Sequence, residues 1–155
     1  MADRLVVVGG DAAGMAAVMQ ARRRQPYLEI VTLEKGAWTS YSACGIPYVV
    51  AGDVGSIEQL VARSPQEFRE QHRIDVRLHH EVLSIDHASR RLDVRDHLRQ
   101  RTIQLTYDQL HIATGARPTR PELPGIDLDH VRGVQTLDDA KTLLEHARTS
   151  QCQSV

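Results

Sequence analysis

The stretch Leu5-Val6-Val7-Val8-Gly9-Gly10-Asp11-Ala12-Ala13-Gly14 decides the fold. Its first four residues are apolar and three are β-branched, which predicts a strand buried on both faces. After the glycine-rich turn, Met15 to Arg24 is alanine-rich and meets no breaker before Pro26, so it predicts a helix. Leu28 to Leu33 predicts a second strand, and Glu34 closes it. Strand, glycine-rich turn, helix and strand in that order make a βαβ unit. In such a turn Gly9 permits the bend, the middle position brings backbone close to a pyrophosphate, and Gly14 lets helix pack on strand. The phosphates rest on the free N–H groups of the helix N-terminus. Glu34 stands about 20 residues past the turn, where an acid bonds ribose hydroxyls. Dinucleotide binding is the expectation. Asp11 departs from the pattern by replacing the middle glycine. A carboxylate facing a pyrophosphate is repelled, so its side chain is expected to point away or to act through water.

Composition narrows the function classes. A chain of 155 residues with 41% hydrophobic and 25% charged residues has room for one ordinary domain with a core. The balance of 19 basic and 20 acidic residues, net −1, lacks the basic excess of a nucleic-acid binder. No apolar run approaches the ~20 residues of a membrane-spanning helix. Met1-Ala2-Asp3-Arg4 leads directly into the first strand, so no signal sequence is expected. A cytoplasmic protein without nucleic-acid or membrane partners is expected. Cys44 and Cys152 make no disulfide framework; Cys152 reads as structural. His79-His80 lack cysteine or acidic neighbours at ligand spacing, so no metal is expected.

Downstream, Ser64-Pro65-Gln66-Glu67 has the residues that start a helix, running to about His72. Ile74–Leu78, Val82–Ile85, Leu92–Val94 and Thr102–Thr106 are short strands separated by turn residues. They read as an antiparallel β-meander, placed at about residues 80–107, inserted into an α/β fold with a parallel sheet. Tyr107 to Ala113 reads as another buried parallel strand, ending in Thr114-Gly115-Ala116. Thr136 to Ala147 reads as a helix with Thr136 as N-cap and Asp138 and Asp139 in its first turn.

Thr39 to Val49, TSYSACGIPYV, carries the reactive candidate, Cys44. Pro47 fits a helix only in its first turn. A helix over Tyr48 to Ala51 therefore begins near Cys44, where its N-terminus favours a thiolate. Gly45 leaves room for a ligand. The competing reading of Cys44 is a small buried hydrophobe. Arg22-Arg23-Arg24 is open between a solvated helix end and a ligand-binding cluster.

Val6–Ala17, Leu33–Gly36, Ser40–Tyr48 and Leu110–Pro118 together resemble the front of the FAD-dependent pyridine nucleotide–disulfide oxidoreductases. The single-cysteine branch, with coenzyme A-disulfide reductase, NADH oxidase and NADH peroxidase, is the most similar. SYSACGIPY is the most specific of these segments. The resemblance implies a Rossmann-like FAD-binding domain in which Gly9, Ala12, Ala13 and Gly14 hold the pyrophosphate. Glu34 holds the adenosine ribose with Lys35 nearby, Val82 meets the adenine through its backbone, and Ala113, Thr114 and Gly115 pass beside the flavin.

It also implies that Cys44 faces the isoalloxazine ring as the catalytic residue. Dithiol relatives have a second cysteine five residues away; here those positions are Thr39 and Val49. A solitary cysteine forms a mixed disulfide or a sulfenic acid. Gln20, Arg23 and Ser40 would bind coenzyme A. The expected activity is electron transfer from NAD(P)H through FAD to Cys44, which reduces a low-molecular-weight disulfide, O2 or peroxide. The alternative is a ferredoxin- or rubredoxin-reductase-like flavoprotein that needs no catalytic cysteine. The family pattern makes residues 1–150 the truncated N-terminal part of the FAD domain, inactive alone. Residues 151–155 then open an NAD(P)H domain, in an enzyme that is a homodimer when full length.

Overall fold

In chain order, the computed structural model carries β1 (Arg4–Val8), α1 (Ala12–Arg24), β2 (Glu29–Leu33), α2 (Ile46–Ala51), α3 (Pro65–His72), β3 (Ile74–Arg77), β4 (His80–Asp86), β5 (Arg91–Asp96), β6 (Arg101–Thr106), β7 (Gln109–Ile112) and α4 (Leu137–Thr149). It describes residues 3–149. Cys152 and the expected start of a further domain at 151–155 lie outside them. Two compact units result, one of residues 1–41 with 63–115 and one of residues 42–62 with 116–155. No helix among the described residues is long and apolar enough to cross a membrane.

The first unit contains a four-stranded parallel sheet in the order β3-β2-β1-β7. Alternate side chains of a strand face opposite sides, and both sides are covered here. Leu5, Val7, Ile30, Ile74 and Val76 pack with Met15 and Val18 of α1 and Phe68 of α3. Val6, Val31 and Leu33 pack on the other face with Leu92 and Val94 of β5 and with Tyr107. The meander β4-β5-β6 is antiparallel, as expected. Its hydrophobic alternation supplies the cover that lets β1 be apolar on both faces.

Two expectations need correcting. Ile74–Arg77 does not belong to the meander; it pairs in parallel with β2, because Ile74 and Val76 bury against α1 and α3. The strand after Tyr107 is parallel but not buried. As the sheet's edge it has one neighbour, β1, and Ile112 is 58% exposed. Ser64 and Glu67 form the reciprocal capping box of α3.

The second unit comprises 3-10 turns at Ala43–Gly45 and Ile57–Leu60 with α2 and α4. Both α2 and the Ile57–Leu60 turn contact α4, and Ile46, Val49, Ile57, Leu60, Leu137 and Ala140 are buried. Thr136 caps α4 reciprocally with Asp139.

Candidate active site

The glycine-rich turn is fixed by backbone. The Gly9 N–H donates to the Leu33 carbonyl and the Ala113 N–H to the Val8 carbonyl, both at 2.8 Å. This draws the ends of β1, β2 and β7 together. Gly9 has φ +109°, and a Cβ there would lie 2.1 Å from the Ala113 oxygen. A Cβ on Gly14 would lie 1.9 Å from the Gly9 oxygen. The predicted roles of these glycines, bend and close packing, are met by these contacts.

Beyond them, Ala12 and Ala13 are small and exposed at the start of α1. That end carries no acid in its first turn, and the N-cap Asp11 makes no side-chain capping bond. The first N–H groups of a helix have no intrahelical partner, so this 13-residue helix presents an open, positive end suited to phosphate.

Glu34 braces the turn. Its Oε2 accepts from the Gly10 N–H at 2.8 Å and its Oε1 from the Gly36 N–H at 2.7 Å. Each carboxylate oxygen has a second lone pair for a hydroxyl donor. The Glu34 carbonyl accepts from the His80 N–H and the Gly36 carbonyl from the His79 N–H, so the loop is held by the start of β4. Lys35 is exposed beside it. Val82, two residues along β4, is half-buried at a β-bulge. Thr114 and Gly115 are exposed just past the edge strand.

Residues 39–41 are fastened to the same turn. The Thr39 hydroxyl and the Ser40 N–H both donate to the Gly10 carbonyl. Ser40 sits at φ +51°, a left-handed conformation that costs a serine on the order of 1 kcal/mol and that its bond to Gly10 helps retain. Gln20, Arg23 and Ser40, read as substrate residues, line one groove of about 340 Å³. Met15, Met19 and Phe68 also line it, and Arg63 adds a second guanidinium. Sequence reasoning missed Arg63, since no motif marks it. The arginine cluster divides: Arg22 donates to the carbonyls of His72, Pro26 and Arg73 at 2.7–2.8 Å. It ties the end of α1 to the end of α3, while Arg23 faces the groove.

In the second unit the Cys44 thiol is exposed, which removes the buried-hydrophobe reading. It occupies a 3-10 turn that runs into α2, with Pro47 in the first turn of that helix as expected. The Ser42 hydroxyl lies 3.2 Å from Cys44 Sγ, a contact sequence reasoning did not assign. The segment is anchored by the Ser42 N–H donating to the Leu60 carbonyl at 2.9 Å and by buried Ile46 and Val49. The expectation that Gly45 leaves room for a ligand is corrected. A Cβ there would meet Leu60 Cδ2 at 2.4 Å, so Leu60 already fills that space.

The profile of the pyridine nucleotide-disulphide oxidoreductase family matches residues 3–153. The chain belongs to this family. It is 30% identical over 152 residues to an NADH oxidase of Methanocaldococcus jannaschii, covering 98% of this chain and 34% of the relative. It is 33% identical over 154 residues to an NAD(P)H sulfur oxidoreductase (CoA-dependent) of Pyrococcus abyssi, covering 97% and 33%. A solved NAD-dependent persulfide reductase from A. fulgidus superimposes with a TM-score of 0.87 at 32% identity, over 94% of this chain and 27% of that one. The chain thus spans about a third of the length of the curated relatives it matches. This oxidoreductase family is FAD-dependent. The open α1 N-terminus, the cradle in which Gly9 and Gly14 leave no space for a Cβ, and the braced Glu34 fit a dinucleotide.

Proposed function

We propose that this chain is the FAD-holding part of an NAD(P)H-dependent oxidoreductase whose Cys44 reduces a phosphate-bearing low-molecular-weight disulfide of the coenzyme A type. The observation that carries the choice of substrate is the groove lined by Gln20, Arg23, Ser40 and Arg63 together with Met15, Met19 and Phe68. Two guanidiniums suit phosphate oxygens, and Met15, Met19 and Phe68 suit an uncharged aliphatic arm. Molecular oxygen or peroxide, the acceptor class for an NADH oxidase, needs no such groove.

Pyrophosphate is held by the backbone of Gly9 to Gly14 with Ala12 and Ala13, and the ribose by Glu34. Lys35 stands beside the ribose, Val82 offers backbone to the adenine, and Ala113 to Gly115 flank the ring system. FAD, when bound, supplies the two-electron relay from NAD(P)H. The Cys44 thiolate attacks one sulfur of RS–SR, expelling RS⁻ and forming the mixed disulfide. Two electrons later break that bond, release the second RS⁻ and restore the thiolate, and each released thiolate takes a proton from solvent. With Cys44 as thiolate, the Ser42 hydroxyl at 3.2 Å donates to it. A solitary cysteine is sufficient because the small thiol is the partner.

The rival reading is a flavoprotein that passes electrons to a ferredoxin- or rubredoxin-like protein and makes no use of a thiol. An exposed cysteine held beside a hydroxyl weighs against it. The test is Cys44→Ser in the full-length enzyme. Loss of coenzyme A disulfide reduction with NADH-dependent dye reduction retained is the expected result; equal loss of both overturns the role of Cys44.

A further inference from the structure

Asp11 is the residue of the glycine-rich turn that dinucleotide binding does not explain. It is the N-cap of α1, yet its side chain makes no capping bond. The N–H groups of Tyr41 and Ala12 face its carboxylate. Its Oδ1 is buried with no hydrogen-bond partner among the described residues. The facing charge is another carboxylate, Glu34, which braces Gly10. Burial, an unpartnered oxygen and a second negative group disfavour the ionised form of a carboxylate, and the two N–H groups offset this only in part.

We propose that Asp11 takes up a proton when a dinucleotide pyrophosphate docks on the first turn of α1, so that cofactor affinity rises as pH falls. The inference rests on the dinucleotide reading of that turn. The pyrophosphate brings two further negative charges to the end of α1, next in sequence to Asp11. Its arrival favours the neutral carboxyl and disfavours the carboxylate. Burial, foremost, already holds the Asp11 carboxyl above its ordinary 3.8 in the free chain, with Glu34 adding to the effect. The sign follows by linkage. Below the free-chain value the carboxyl is neutral in both states and binding is tightest. As pH rises through the free and then the bound value, binding weakens, by about tenfold for each unit separating the two. The sequence departure at Asp11 is thereby read as a proton-linked set point on cofactor retention.

The experiment is FAD binding, followed by flavin fluorescence between pH 5 and 8, for the full-length protein carrying Asp11 and for its Asp11→Asn variant. The side-chain amide is nearly isosteric and neutral throughout. The expected result is an affinity for Asp11→Asn that exceeds the parent's most at pH 8, with the difference narrowing as pH falls. Calorimetry of the unsubstituted protein in two buffers of different ionisation enthalpy should show net proton uptake on binding, and it needs no variant. Superimposed affinity profiles, or weaker binding by a folded Asp11→Asn at pH 8, overturn the inference alone. Binding without proton uptake does the same. No FAD binding by either protein at any pH overturns the dinucleotide reading on which it depends.

Discussion

The glycine-rich turn and the Cys44 segment are both short loops leading into helices, but they are held differently. The turn is fixed by backbone contacts so close that two positions admit no side chain, Gly9 against Ala113 and Gly14 against Gly9. The Cys44 segment has an exposed thiol, an exposed Tyr48 and a six-residue helix, anchored by two buried side chains and one backbone bond to Leu60. The contrast separates two demands. A phosphate turn must be a rigid backbone surface, whereas an exchanging thiol must be reachable. Substitutions in the first region should therefore act on stability, and those in the second on chemistry.

The largest effect should come from Gly14→Val. A Cβ 1.9 Å from a backbone oxygen cannot be relieved by a rotamer change, so a loss of about 4 kcal/mol or more is expected in denaturant unfolding. A cost below about 1 kcal/mol would show that the turn is not close-packed. Cys44→Ser should do the reverse, leaving the unfolding midpoint nearly unchanged because the thiol is exposed while ending disulfide reduction. A marked loss of stability would make Cys44 a packing residue. Glu34→Ala should cost about 2 kcal/mol, since it strips a charged acceptor from the Gly10 and Gly36 N–H groups, and should weaken FAD binding as well. A variant that loses stability but binds FAD as before would restrict Glu34 to bracing.

Smaller still, Ser64→Ala should cost about 1 kcal/mol by opening the capping box of α3. A pH effect of opposite sign to that of Asp11 belongs to Asp96. Bonds from the Arg99 backbone, foremost, and the nearby Arg99 and His80 hold its carboxyl below 3.8. Its contribution is therefore present above 3.8 and lost as pH falls through the lower folded value. Asp96→Asn should flatten the acid limb of the melting profile, and an unchanged limb would contradict this.

What was legible in the sequence follows the same division. The βαβ unit could be read because burial on both faces, turn and acid all write their demands into residue type. Its inference failed where a demand was shared. Ile74–Arg77 alternates like a meander strand because an edge strand covered on one face has that same pattern. The burial of β7 was overestimated because an apolar run does not announce how many neighbours a strand has. In the Cys44 segment, Pro47 fixed the helix start through its missing N–H. The use of Gly45 was misread because Leu60 approaches from fifteen residues away. Arg63 joins Arg23 along its groove, and Ser42 stands beside Cys44, by proximity within each unit, which no local spacing encodes.

The most direct test of the account is an anaerobic NADH titration of the full-length protein followed by absorption, with Cys44→Ser in parallel. A long-wavelength thiolate-to-flavin band in the parent that is absent from the variant is the predicted result. Identical spectra would contradict the assignment of Cys44 as the redox partner and favour an electron-transfer flavoprotein.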